Sequence, residues 1–153
     1  MAGLVVLSGL VAAGALPQAA AAGPSLNAYR GLGIWVDMYD AAAWKDPAGA
    51  VKDMASHHVR TLYIETANYH WPTAINKPSA MNAIIRQCHA RGIKVVAWYL
   101  PGFKDLTKDY RRSMAAIDYR TPDGQKFDSF ALDIEASIVK PVITRNSRLT
   151  TLS

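Results

Sequence analysis

Residues 127–137 read FDSFALDIEAS, and two carboxylates, Asp133 and Glu135, stand two positions apart near the end of that stretch. Its Phe, Ala, Leu and Ile content suits a strand buried on both faces. An ionised carboxylate in such a place is costly unless it is paired or solvated. Side chains alternate along a strand, so Ala131, Asp133 and Glu135 share one side, and Phe130, Leu132 and Ile134 share the other. Two further acids occupy comparable positions, Asp37 in GIWVDMY and Glu65 in TLYIETA. In the first, Ile34, Val36 and Met38 alternate with Trp35, Asp37 and Tyr39. In the second, Leu62 and Ile64 alternate with Tyr63 and Glu65. Acids crowded together repel, which raises the pKa of at least one of them. A carboxylic acid held protonated near neutral pH can protonate a leaving-group oxygen, while an ionised neighbour stabilises developing positive charge. Glycoside hydrolysis needs such a pair. Structural ion pairs with Arg60, Lys94 or Arg120 are the competing account of the same acids.

The elements that must position these acids follow a βα rhythm. Residues 31–39 and 60–67 read as strands, and Asp46-Pro47 between them reads as an N-cap followed by proline at the first helical position. Pro78 opens a helix that Gly92 closes, with Ala80, Ile84, Ile85 and Cys88 on one stripe. Residues 93–101 form a third strand, Asp105 caps a third helix to about Ile117, and Asp123-Gly124 makes a hairpin-type turn before the fourth strand. Alternating strands and helices predict an α/β fold with a parallel sheet. The pacing is that of a (β/α)8 TIM barrel, with the acids at the C-terminal rim where barrel enzymes place their chemistry. A doubly wound sheet competes, but no Gly-rich phosphate loop follows the first strand. A complete barrel takes about 250 residues. The expectation for residues 30–153 is therefore the N-terminal half of a barrel, truncated to about four βα units.

Aromatic residues surround the predicted mouth: Tyr39, Trp44, Tyr69, Trp71 and Trp98. Tyr69 and Trp71, in the loop after the second strand, are the best placed to stack against a sugar ring. Both sides of the third strand are apolar, and Tyr99 is taken as the inward one. The expected substrate-binding set is Asp37, Glu65, Tyr99, Tyr69 and Trp71. His57 and His58 end a helix away from the rim, His89 lies in a helix, and only His70 is in a useful loop. No metal-binding spacing occurs, and no metal or cofactor is expected. The single cysteine, Cys88, reads as a small buried apolar residue.

The 153 residues carry a net charge of +5, scattered from Arg30 onward. That balance fits a solvated basic surface or attraction to an anionic polymer such as a cell wall. No basic stretch interleaved with aromatics points to nucleic acid. Residues 1–22 combine an apolar run, Leu4 to Leu16, with Ala20-Ala21-Ala22 before Gly23, the pattern of a cleaved signal peptide. Export to a secreted or cell-wall location follows, with no stable membrane insertion after cleavage.

The segment Asp128-Ser-Phe-Ala-Leu-Asp-Ile-Glu135 resembles the DxxDxDxE signature of glycoside hydrolase family 18, the chitinase-like barrels. By that resemblance Glu135 is the general acid, and Asp133 orients an acetamido group that attacks the anomeric carbon. The second aspartate of the signature is Ala131 here, and Asp128 has the parity of a structural residue. The opening GIWVDMYD and the later LDIE also resemble the family 25 lysozyme-like barrels. Residues 31–136 as a whole resemble exported bacterial glycoside hydrolase-like barrels. The resemblance implies hydrolysis of O-glycosidic bonds in a cell-wall or extracellular polysaccharide. Ala131 motivates the alternative, a catalytically degenerate barrel that binds glycans without cutting them.

Overall fold

The computed structural model describes residues 26–152. The signal peptide expected over residues 1–22 lies outside the described residues. In chain order the elements are β1 (Gly33–Val36), α1 (Ala41–Lys45), α2 (Pro47–Ser56), β2 (Thr61–Asn68), α3 (Pro78–His89), β3 (Lys94–Leu100), α4 (Leu106–Ile117), β4 (Ser129–Leu132) and α5 (Val142–Leu152). A 3₁₀ turn, Leu26–Tyr29, precedes β1.

Short polar side chains fix where two of the helices start. The Asp46 carboxylate accepts the Gly49 N–H at 2.9 Å, and Pro47 supplies the first helical residue of α2. Asp105 does the same for α4, accepting the Lys108 N–H at 3.0 Å. Each cap satisfies an N–H that the helix cannot pair internally. Past α3, Gly92 sits at φ +69°, a left-handed conformation in which any Cβ is strained, and the chain turns into β3.

The four strands are parallel and lie in the order β1-β2-β3-β4. The registers Val36↔Ile64↔Ala97↔Phe130 and Leu62↔Val95 put these residues on one face. That face packs on α2, α3 and α4 through Val51, Met54, Met81, Ile84, Ile85, Cys88 and Ala116. Leu62, Ile64, Ile85 and Val95 are completely buried, and each such side chain contributes about 1.5–3 kcal/mol of hydrophobic stabilisation. The opposite face carries Trp35, Tyr63, Glu65 and Trp98 and has no α-helix on it; the 3₁₀ turn lies against it, with the Tyr29 ring 6.4 Å from that of Tyr63 and the Tyr29 hydroxyl donating to the Phe130 carbonyl at 3.2 Å. A sequential strand order with the helices packed on one face is what a singly wound sheet requires. It is not the reversed order of a doubly wound one.

The hairpin-type turn expected at Asp123-Gly124 is a turn with Gly124 at φ +81°, but it delivers the chain to a strand parallel to β3. Below it, Asp128 is a structural latch. Its carboxylate accepts the Val95 N–H at 2.8 Å and receives Lys94 Nζ and His89 Nε2, each at 2.9 Å. This agrees with its outward parity.

Two strands are shorter than the sequence predicts. β1 ends at Val36 because the Asp37 carboxylate accepts the N–H groups of Tyr39 at 2.6 Å and Asp40 at 3.1 Å, folding the next residues into a turn. β4 ends at Leu132. The Asp133 N–H still donates to the Tyr99 carbonyl at 2.9 Å, but the Asp133 carboxylate then accepts the Glu135 N–H at 3.3 Å and diverts the chain. Glu135 therefore lies outside the strand, and the alternation that placed it beside Asp133 does not reach it.

Candidate active site

Three of the predicted acids sit at the C-terminal ends of β1, β2 and β4. Glu65 is inside β2 and only 2 % exposed. Its carboxylate accepts the Met38 N–H at 3.0 Å, across the gap to the loop leaving β1. Burial raises its pKa above the ordinary carboxylate value. The bonds from Met38 and Asn68 oppose that rise, and the charges of Asp37 and Asp133 add to it. Asp37 and Asp133 are thus near enough for their charges to act on Glu65. Among the described residues, no three His, Cys, Asp or Glu are grouped closely enough to hold a metal ion.

The other acids differ in setting. Asp37 is half-buried and spends one oxygen on its own turn, while its carbonyl accepts the Trp44 indole N–H at 2.7 Å. Asp133 is half-buried. Glu135 is exposed, and its carboxylate has no hydrogen bond or ion pair among the described residues.

Of the expected aromatics, Trp98 lies on the open face and Tyr99 does not. Tyr99 is completely buried on the helix side of the sheet, where its hydroxyl donates to Asp109 Oδ1 of α4 at 2.5 Å. The inward placement of Tyr99 is thus corrected. The register Glu65↔Trp98 puts Trp98 on the open face, and Tyr99 follows with the opposite parity. Burial, with the bond to Asp109 and that residue's charge, pushes the Tyr99 phenol well above its ordinary range. Trp44 is also a core residue rather than a mouth residue. The open face instead presents Trp35, which is 57 % exposed and stacks on Tyr63 with ring centroids 4.5 Å apart and planes 12° apart. Trp98 meets Trp35 edge-on at 5.7 Å. A hollow of about 400 Å³ lies between Trp35, Trp98, Ala131, Leu132, Asp133 and Ile134.

Tyr69 and Trp71 lie to one side of this hollow. Tyr69 lies against Gly102, where an added Cβ would come within 2.8 Å of the Tyr69 Cβ. It lines separate depressions with Lys104, Ile138 and Arg148 or Lys108. Trp71 is half-buried, and its carbonyl, like that of Asn68, accepts from the buried Arg112 guanidinium of α4. Asn68 also gathers the His70 and Trp71 N–H groups on its side-chain oxygen, both at 3.0 Å. These polar residues hold the loop, and sequence reasoning passed over them. The available signal was Asp109 and Arg112 three apart on a helix face that would otherwise be read as solvent-facing.

Cys88 has no exposure, and burial, only partly offset by Arg91, pushes its thiol up to about 12. It is a core residue and not a nucleophile. Among the described residues no helix is long and apolar enough to cross a membrane. Comparisons with models of known families, with curated proteins and with solved structures give no match to this chain.

Proposed function

We propose that the four βα units belong to a (β/α)8 barrel and that the open face is the substrate side of an exported glycoside hydrolase-like protein. The observation that carries this reading is the position of Asp37 just past β1, Glu65 within β2 and Asp133 just past β4 of one parallel sheet, beside an aromatic face with no α-helix on it. The open edges of β1 and β4 leave room for the strands of a closed barrel. Sugar rings carry an apolar C–H face and a rim of hydroxyls. An aromatic platform beside carboxylates meets both.

In this reading Glu135, exposed and unpaired, swings over the rim and protonates the glycosidic oxygen. Asp133 holds the Glu135 backbone and faces the reacting sugar. Glu65 and Asp37 shape the field around them. The substrate is a cell-wall or extracellular polysaccharide. The test is release of reducing ends from peptidoglycan, chitin or reporter glycosides, expected to fall at least a hundredfold in Glu135→Gln. Unchanged turnover in that variant removes Glu135 from the mechanism.

Ala131 supports a second reading. It lines the hollow in register with Trp98, at the position where the chitinase-like signature carries an acid. A barrel without that acid binds a glycan but does not cut it. Oligosaccharide binding without product over long incubation distinguishes this from hydrolysis.

A further inference from the structure

A basic hollow of about 560 Å³ lies beside the loops that leave β2 and β3, and Tyr69, His70, Lys104, Lys140 and Arg148 line it. No carboxylate is among its lining residues. It adjoins a smaller hollow that shares Tyr69, Lys104 and Ile138 and adds Lys108. Backbone carbonyls hold two of these cations in place. Lys108 Nζ donates to the Tyr69 carbonyl at 2.8 Å, and the Arg148 guanidinium donates to the Phe103 carbonyl at 2.5 Å. Phe103 is completely buried at φ +57°, a conformation that L side chains rarely adopt, and Asp109 fixes it there by accepting its N–H. An ammonium has three N–H donors and a guanidinium five, so Lys108 and Arg148 keep donors beyond those already used. Among the described residues none of Lys104, Lys108, Lys140 and Arg148 forms a salt bridge. The two acids of the smaller hollow spend oxygens on backbone N–H groups, Asp105 on that of Lys108 and Asp109 on those of Gly102 and Phe103. Like charges gathered round a concavity without a counter-charge repel one another, and a bound anion relieves that repulsion.

We propose that this hollow binds a phosphate dianion, free or as the monoester of a small molecule, with Lys104, Lys140 and Arg148 on its oxygens. The site lies to one side of the aromatic hollow, and the proposal does not rest on the glycan reading. Three cations match a doubly charged oxyanion better than a carboxylate, and a phosphate monoester carries about −1.5 to −2 at pH 7. The planar fork of an arginine pairs with two of its oxygens at once, while the lysines act as point charges. The Tyr69 ring, with His70 against it at a centroid distance of 3.8 Å, and Ile138 form the less polar wall, where the rest of an ester would lie.

The experiment is a titration of the ¹⁵N-labelled chain, followed at its backbone amide signals at low ionic strength, where exposed charges are least screened. The probes are inorganic phosphate, glucose 6-phosphate, glucose and glucuronate. Both phosphates should give saturable shifts at the amides of Tyr69, His70 and Lys104, and glucose should give none. Tighter binding of the ester than of free phosphate assigns the site to monoesters, and equal binding assigns it to the free anion; either result supports the proposal. Affinity should fall about tenfold in Arg148→Gln and about fivefold in Lys104→Ala and in Lys140→Ala. The two lysine variants carry the test where loss of the Arg148 contact to Phe103 unfolds the loop. Lys52→Ala, on α2 and away from the hollow, removes the same charge and should leave affinity unchanged. An equal loss in Lys52→Ala, or shifts spread over the basic surface, would mean diffuse attraction and overturn the proposal. Glucuronate binding as tightly as glucose 6-phosphate overturns the claim of a phosphate, and no shift at millimolar phosphate overturns the site itself. None of these outcomes bears on hydrolysis or glycan binding at the open face, so that reading stands or falls separately.

Discussion

The Glu65 carboxylate accepts the Met38 N–H at 3.0 Å, so an acid on β2 holds the loop that leaves β1. The same bond that organises the rim leaves a carboxylate in a site where burial and two neighbouring aspartates oppose its ionisation.

This sets a pH dependence with a definite sign. A carboxyl whose pKa is raised in the folded state holds its proton longer there than in the unfolded chain. Stability therefore falls as pH rises from the ordinary carboxylate value, about 4.3, through the folded value. Glu65→Gln removes that titration while keeping an oxygen for Met38. The variant should gain stability relative to the unaltered chain between pH 4 and pH 8, by about 1.4 kcal/mol for each tenfold weakening of the acid by the fold. Urea midpoints across that range measure it. Parallel profiles for the two proteins contradict the argument.

Asp128 titrates in the opposite sense. Burial alone would raise its pKa, but the Val95 N–H, Lys94 and His89 outweigh burial and hold it below the ordinary value. Its stabilising contribution is complete above the unfolded value, about 3.9, and is lost as pH falls through the folded one. Asp128→Asn should cost roughly 1–3 kcal/mol at pH 7 and progressively less below pH 4. Denaturant melts at pH 7 and pH 3 check this, and an equal loss at both would show that the charge is irrelevant.

Tyr99 and Asp109 tie the C-terminal end of β3 to α4. Besides the Tyr99 hydroxyl, Asp109 accepts the N–H of Phe103 at 2.8 Å and that of Gly102 at 3.3 Å. Tyr99→Phe deletes one of three donors to a buried carboxylate and should lower stability by about 1–3 kcal/mol. Saccharide binding should not change, because the ring points away from the open face. A selective loss of binding in a variant of normal stability would return Tyr99 to the substrate side.

The parts of this arrangement that were legible in the sequence are those with local causes. Asp46 and Asp105 announce their helices because a cap is a local hydrogen bond. The alternation of Leu62 and Ile64 with Tyr63 and Glu65 is unambiguous because one side is aliphatic and the other is not. In β3 both sides are apolar, so nothing in KVVAWYL distinguishes Trp98 from Tyr99. The irregularity between Glu65 and Ala67 in the β2–β3 register also leaves no sequence trace. Glu135 was misplaced because alternation assumes a strand that continues, and Asp133 ends it. The five-residue α1, AAAWK after Asp40, is too short to show a helical period.

Arg112 supplies a last test. It is 6 % exposed, and its guanidinium donates to the carbonyls of both Asn68 and Trp71, so α4 pins the loop that carries Tyr69 and Trp71. Two divergent acceptors need a planar fork, which a lysine ammonium cannot reproduce from one position. Arg112→Lys should therefore behave like Arg112→Met, each losing about 1.5–3 kcal/mol. The His70 and Trp71 amides, held on the Asn68 side chain, should exchange with solvent at least tenfold faster in both variants. The amides of β3 should change only as much as global stability does. If lysine restores the slow exchange of His70 and Trp71, a charge at this position is sufficient and the fork is not what orders the loop.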